Sequence, residues 1–234
     1  MPVPQRDFPP DFHGKSRLEF YASLFNSLEI NSSFYKLPKA ATVKKWNDLV
    51  PDNFKFTLKL SKSVTHVKGL EFLRADVESF MEVASQIENK KGCILLQFPP
   101  GLQKNLSKLD ALFSIVKESD PCSEWTIAVE FRQKSWYTEN VYRLLENYKV
   151  CLVTHDKPGS IAPVDEYESD SVYLRFHGPG GNYRGRYEDE LLSEYAGYIN
   201  DWEREGKTVY VYFNNTMGDA MKNLIQLNQY IGFV

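Results

Sequence analysis

The chain has 234 residues and a mass of 27.1 kDa, with 42% hydrophobic and 25% charged residues, a balance that excludes disorder as its main state and suits a single core. With 28 Lys and Arg against 31 Asp and Glu, the formal charge is -3, which removes any global electrostatic case for duplex nucleic acid or an anionic membrane surface. Three cysteines, Cys93, Cys122 and Cys151, form no Cys-x-x-Cys pair, so neither a disulfide framework nor a structural zinc site is expected.

The opening MPVPQRDFPPDFHG interrupts any apolar run with prolines and charges, and no later run approaches a membrane span. A reduced, cytoplasmic protein is expected. The spacing of Leu18, Tyr21, Ala22 and Phe25 predicts a helix over 15–26, followed by a strand over 27–34. A helix at AATVKKWNDLV, a strand over 54–61, a helix over EFLRADVESFMEVASQI and a strand over 92–99 come next. Then follow a helix at KNLSKLDALFSIVKES, a strand over 126–132, a helix at TENVYRLLENY and a strand over 150–157. A polar loop runs through residue 170. After it stand a strand over 171–178, the helix DELLSEYAGYINDWERE, a strand over 208–215 and a last helix from about Ala220 to Ile231.

Seven strands alternating with helices point to one α/β domain over 1–234, built on a parallel sheet. So many βα units in this length favour a TIM-like (β/α) barrel, seven strands readable and the first of the usual eight missing or irregular. A dinucleotide-binding fold lacks its fingerprint, since no Gly-x-Gly-x-x-Gly follows a strand.

In such a barrel the C-terminal ends of the strands carry the site. Polar side chains recur there: Glu29 and Asn31, Lys59 and Ser61, Gln97, Glu130 and Arg132, Thr154 and Asp156, Arg175 and His177, Tyr212 and Asn214. Glu29, Lys59, Gln97, Glu130, Asp156, Arg175 and Asn214 are therefore expected to converge on one end. One explanation is an ion-pair network, Glu130 with Arg132 or Arg175 and Asp156 with Lys59. Buried pairs add little stability for their cost, so a ligand site accounts better for the whole set. Arginine suits a carboxylate or phosphate, which points to a small anionic ligand such as a sugar phosphate, nucleotide fragment or carboxylate. Glu130, Asp156 and His177 are the candidates for general acid–base work. Which cofactor, if any, the protein uses is not readable from these residues, nor is a metal requirement. A metal held by Glu29, Glu130, Asp156 and His177 is opposed by the guanidinium groups beside them. The alternatives are a module for single-stranded nucleic acid and a scaffold sealed by ion pairs; oligomeric state is not readable.

Other residues are read more plainly. Ser32, Ser33, Ser61 and Ser63 are turn or cap hydroxyls, Cys151 is core, Trp136 packs, and His155 points opposite to Asp156 on its strand. His66 follows a strand and either orders a loop or meets ligand. Tyr35, Tyr183 and Tyr187 lie in loops where a ring stacks on a sugar or base or lids the barrel. The glycine-rich GPGGNYRGRY, with Arg184 and Arg186, either presents N–H groups to an anion or is plain loop.

EINSSFYKLP (29–38), FKFTLKLSKSVTH (54–66), LLQFPP (95–100), AVEFRQKSW (128–136), VYLRFHG (172–178), YRGRY (183–187) and VYFNNTMGDAMKN (211–223) together resemble the YecE-like proteins, domain of unknown function 72. The resemblance runs from about residue 15 to the end. It implies a cytoplasmic TIM-like barrel of bacterial or archaeal origin with no established reaction. Carried over by motif, Glu29, Asn31, Tyr35, His66, Gln97, Glu130, Arg132, Trp136, Arg175, His177, Tyr183, Arg186 and Asn214 fall on the family pattern, with Asp156 at its sixth-strand acidic position. The family usually opens with a strand reading Ile-Gly-x-Ser-Gly, which nothing in residues 1–14 matches. Residues 2–12, with four prolines, are expected to run irregularly and to form no full ladder.

Overall fold

In a computed structural model describing residues 4–162 and 167–232, the alternation read from the sequence becomes α1 (Arg17–Ala22), β1 (Ser27–Ile30), α2 (Ser32–Tyr35), α3 (Ala40–Asp48), β2 (Lys55–Lys59), α4 (Lys62–Thr65), α5 (Arg74–Ala84) and β3 (Lys91–Gln97). It continues as α6 (Leu106–Glu118), β4 (Thr126–Glu130), α7 (Glu139–Tyr148), β5 (Cys151–His155), β6 (Ser171–Phe176), α8 (Asp189–Arg204), β7 (Thr208–Phe213) and α9 (Ala220–Ile231). Local chemistry sets several boundaries. Ser16 and Glu19 form a reciprocal capping box at the start of α1, with Ser16 N–H donating to Glu19 at 2.8 Å and Glu19 N–H donating back at 3.2 Å. Lys149 and Gly232 end α7 and α9 in the left-handed conformation that stops a helix.

The strands follow chain order in the sheet, β1 to β7. Pairing is parallel between β1 and β2, β2 and β3, β4 and β5, β5 and β6, and β6 and β7. Parallel neighbours present their C-terminal ends on the same side.

Strands β2 to β7 each end two residues sooner than the hydrophobic pattern indicates, and β1 four residues sooner. β1 stops at Ile30, and Ser32–Tyr35 coils into α2 instead of extending the strand. Ser33 Oγ lies 2.9 Å from Ile30 O and 2.8 Å from Lys59 O, so its hydroxyl serves a carbonyl at the end of each strand. Ser61 accepts from the Ser63 N–H at 3.2 Å and caps α4. Both serines are structural, as expected. The same shortening leaves Arg132, Asp156, His177 and Asn214 just past their strands, outside the strict in–out alternation.

Residues 4–14 make two 3-10 turns, Gln5–Asp7 and Pro10–Phe12, and no strand, because proline removes ladder donors; residues 1–3 lie outside the described residues. Phe8 and Phe12 anchor this irregular segment by placing their rings 4.4 and 5.1 Å from Phe20.

The chain divides into two compact units, Met1–Leu95 with Ser107–Thr126, and Leu96–Leu106 with Ile127–Val234. In the first, Phe54, Phe56, Leu58, Val77, Phe80 and Ile94 are buried between strands and helices. Buried lysine is rare, and here Lys90 donates to Asn47 O and Val50 O, both at 2.7 Å, which satisfies carbonyls at the end of α3. In the second, Leu174 and Phe176 of β6 pack with Tyr187, with Leu192, Ala196 and Ile199 of α8, and with Leu227 of α9. Cys93 and Cys151 are buried free thiols and Cys122 is an exposed one.

Gly92 of β3 lies so close to β2 that a Cβ would stand 2.8 Å from Phe56 O. Gly92→Ala therefore has to push two backbones apart. A loss of roughly 1–3 kcal/mol is expected, the usual cost of overpacking, read as a lower urea midpoint with an unchanged far-UV spectrum.

Candidate functional site

Glu130, at the end of β4, is fully buried and accepts from two guanidinium groups, Arg132 through Nε and Arg175 through Nη1. Arg132 extends the chain of contacts, since its Nη2 lies 2.9 Å from His177 Nε2. A guanidinium can only donate, so Nε2 is the acceptor and the imidazole proton sits on Nδ1. Nδ1 is 3.0 Å from Asp156 Oδ1, which also accepts from the His177 backbone N–H at 2.8 Å. Asp156 Oδ2 accepts from the Tyr187 hydroxyl, whose oxygen in turn receives the Gly178 N–H at 2.5 Å. One continuous network thus runs Arg175, Glu130, Arg132, His177, Asp156, Tyr187, Gly178.

Electrostatics follow from this geometry. Burial alone would raise the Glu130 carboxyl, but Arg175 and Arg132 reverse that and hold it well below the ordinary carboxylate range. Asp156 is likewise penalised by burial and nevertheless lowered by its bonds from His177 and Tyr187. His177 is pushed down chiefly by burial, with Asp156 and Glu130 opposing, so it rests neutral. Tyr187 is raised by burial and by its bond to Asp156, and keeps its proton. Two carboxylates against two guanidiniums leave the network balanced in charge.

The glycine-rich loop is what brings Tyr187 and Tyr183 to this network. It turns at Gly178, Gly181 and Gly185, all at positive φ. A Cβ on Gly178 would stand 2.1 Å from Arg184 O, so only glycine allows the loop to fold back on itself. Tyr183 N–H then donates to His177 O at 2.6 Å, and the 214–219 segment locks the far side through Met217 N–H to Tyr183 O at 3.1 Å and Asn215 Nδ2 to Gly185 O at 2.9 Å.

Among the residues singled out from the sequence, Glu130, Arg132, Asp156, Arg175 and His177 meet in direct contact, and Tyr183 stands with its ring 5.6 Å from that of His177. Gln97 ends β3 with Nε2 donating to Phe98 O at 2.7 Å. Asn214 donates its backbone N–H to Phe176 O at 2.6 Å while its Nδ2 is buried without a hydrogen-bond partner. Arg186 turns to Asp189 at the surface, 3.1 Å away, and does not join the network. Arg175 is committed to Glu130 and only 4% exposed.

The first unit holds a group of its own. Asn31 Nδ2 donates to Glu29 at 2.7 Å. The Phe34 ring carries Lys59 Nζ at 4.2 Å on its face and meets the rings of His66 and Tyr35 edge-on at 4.7 and 4.9 Å. Burial and the Lys59 charge press His66 down to about 4, so this imidazole is also neutral. Tyr35 is 70% exposed.

Asn215 was overlooked in the sequence, and His155 was left outside the site. His155 does not point away from the site: its Nε2 donates to Phe131 O at 3.0 Å, its Nδ1 accepts from Lys157 N–H at 3.1 Å, and its ring lies 6.1 Å from that of His177. The alternation that set it opposite Asp156 ends with β5 at His155. Asn215, not its neighbour Asn214, makes the tie to the glycine loop and to Asn223 at 3.1 Å. Trp136 packs as expected, stacked on Phe131 and Phe98 with Nε1 donating to Leu102 O at 2.9 Å. The expected pairing of Glu130 with arginine is present, and Asp156 finds His177 and Tyr187. Among the described residues no three His, Cys, Asp or Glu side chains are grouped to hold a metal ion.

Parallel strands in chain order, helices between them and polar side chains gathered past the strand ends define a protein of the TIM-like (β/α) barrel class. A solved AP endonuclease, family 2, of Brucella melitensis shares the fold at a TM-score of 0.60 and 13% identity, covering 92% of both chains. The chain belongs to the family described as "Protein of unknown function DUF72", whose model matches residues 3–233. It is 26% identical to the UPF0759 protein YunF of Bacillus subtilis (strain 168), over 92% of this chain and 86% of that one. A DUF72 family protein of Enterococcus faecalis has a TM-score of 0.79 and 24% identity, covering 95% of each chain. Among the described residues no helix is long and apolar enough to cross a membrane.

Two outcomes follow. Glu130→Gln keeps the shape but leaves two guanidiniums without their carboxylate, so unfolding free energy should fall by about 3–5 kcal/mol in a denaturant titration. The pH dependence has one sign throughout, because His155, His177, Glu130 and Asp156 all have lowered pKa values in the folded protein. Such groups contribute stability above their unfolded values and lose it as pH falls. Stability should begin to drop below the ordinary histidine value of 6.5, with His66 adding its share down to about 4 and the carboxylates following below 4.5. Denaturant midpoints measured from pH 8 to pH 4 check this, and a flat profile between 7 and 5 would contradict it.

Proposed function

We propose that this chain acts in the cytoplasm as an enzyme-like binder of a small anionic molecule, a sugar phosphate, nucleotide fragment or carboxylate. In this reading Arg132 contacts the anion and the Asp156–His177 pair does acid–base work. The observation that carries the proposal is the placement of Arg132, held at Nε by Glu130 and at Nη2 by His177. Its remaining donors have no partner among the described residues, and a guanidinium fixed on two sides is preorganised for a two-point contact.

Glu130 drops out as a proton-transfer group on this reading. A fully buried carboxylate neutralised by two arginines keeps its charge and serves to hold them. Arg175 then acts through Glu130, by fixing the carboxylate that fixes Arg132. When a ligand anion draws Arg132 away from His177, Nε2 becomes free to take a proton, and Asp156 stabilises the resulting imidazolium. Asp156 is the more exposed partner, its side chain 25% accessible, so it also suits a hydrogen bond to a ligand hydroxyl. Glu29, Asn31, Tyr35, Lys59 and His66 are proposed as a ligand-contacting group of the first unit, and Gln97, Tyr183, Arg186 and Asn214 as further contacts in the second.

A scaffold sealed by ion pairs is the second reading, favoured by the balance of charge within the network. Melting temperature separates the two. Phosphate, ribose 5-phosphate or citrate should raise it by mass action if the protein binds anions, and none should if the network is only structural. Arg132→Lys should then weaken whichever anion binds by roughly tenfold to a hundredfold in calorimetric titration, equivalent to about 1.5–3 kcal/mol, because an ammonium paired to Glu130 cannot also give the ligand a planar two-point contact.

A further inference from the structure

We propose that Tyr183 is a ring-contacting residue, and that the ligand of the Arg132–His177 site joins its anionic group to a ring with an apolar face, as a sugar phosphate or a nucleotide does. The inference rests on the reading that Arg132 holds an anion. It starts from a side chain that is held in place and yet left exposed. Tyr183 is 40% exposed, and its hydroxyl has no partner among the described residues, whereas Tyr187 of the same loop is buried with its hydroxyl bonded to Asp156. Yet the backbone at Tyr183 is held tightly in an unfavourable place. Its φ of 66° lies in the left-handed region that glycine and asparagine adopt far more readily than an aromatic residue. The N–H to His177 O and the carbonyl from Met217 N–H fix it on both sides.

What this placement achieves is a ring set against the imidazole that Arg132 touches. The two rings are perpendicular, with centroids 5.6 Å apart. Lys157 Nζ lies over the Tyr183 ring, 3.9 Å from its centre. The aromatic ring thus carries a cation on a flexible lysine stem and stands perpendicular to the imidazole that the Arg132 fork touches. A cation over an exposed ring is a weak contact, weaker than stacking a ring of the ligand there. The lysine can leave the ring face and follow the anion while the ligand's ring takes its place. An open-chain or inorganic anion makes no use of this arrangement.

The test is calorimetric titration of the full chain with inorganic phosphate, ribose 5-phosphate and AMP. At least one ring compound should bind on the order of tenfold tighter than phosphate, the gain of one stacking contact. Tyr183→Asn removes the ring with a residue that tolerates the left-handed backbone, and should bring the affinity for the ring compound down to that of phosphate. Tyr183→Phe should keep the gain. An advantage of AMP over ribose 5-phosphate assigns the contact to the base, and equal gains assign it to the sugar. If phosphate binds and neither ring compound binds tighter, or if Tyr183→Asn keeps the gain, the inference is wrong and the anion site stands. If none of the three binds, the anion reading falls and takes this inference with it.

Discussion

The Glu130 carboxylate between two guanidiniums is the contact on which the rest of the site depends. A carboxylate with no solvent exposure is tolerated only with full compensation, and compensation here comes from Arg132 and Arg175 on two different chain segments. Each arginine is thereby fixed in direction, and Arg132 hands that order on to His177, whose tautomer it dictates. His177 in turn orients Asp156, which anchors Tyr187 and with it the glycine-rich loop.

On the proposed reading this arrangement serves recognition, since apolar residues of similar volume often replace a buried ion pair at little cost in stability. It positions two things in particular: a guanidinium with donors to spare and an imidazole kept neutral by burial beside a carboxylate. The loops do the remaining work. Gly178 and Gly185 let the 178–187 segment double back, and Gly218 lets the following segment approach so closely that a Cβ there would meet Gly185 O at 2.4 Å. Two loops locked together in this way hold an exposed tyrosine over the imidazole without burying it.

Much of the fold was legible because strand and helix leave different periods in the chain. All seven strands and the seven longer helices were readable from their apolar spacing, and the prolines near the start ruled out a strand over the described part of residues 2–12. Short elements were not legible: α2 and α4 are four residues each, too brief for a period, and arise from serine hydroxyls serving nearby backbone groups. That missing detail explains the misreading of His155. Where a strand ends, alternation ends with it, and no residue pattern marked the end of β5 at His155 rather than at Lys157.

The sequence by itself determined the class of fold and which polar residues stand late in the strands, since hydrophobic period and the placement of charged residues are properties of neighbouring positions. Glu130, Arg132, Asp156, Arg175 and His177 could all be named on that basis. Only the tertiary structure decided which of them touch and in what protonation state, because that depends on contacts up to 45 positions apart. It turned Arg175 inward to Glu130, gave Asp156 the partners His177 and Tyr187, and drew Asn215 rather than Asn214 to the loop. Those choices depend on where strands stop and how glycines turn the chain between them, and neither follows from the residue types alone.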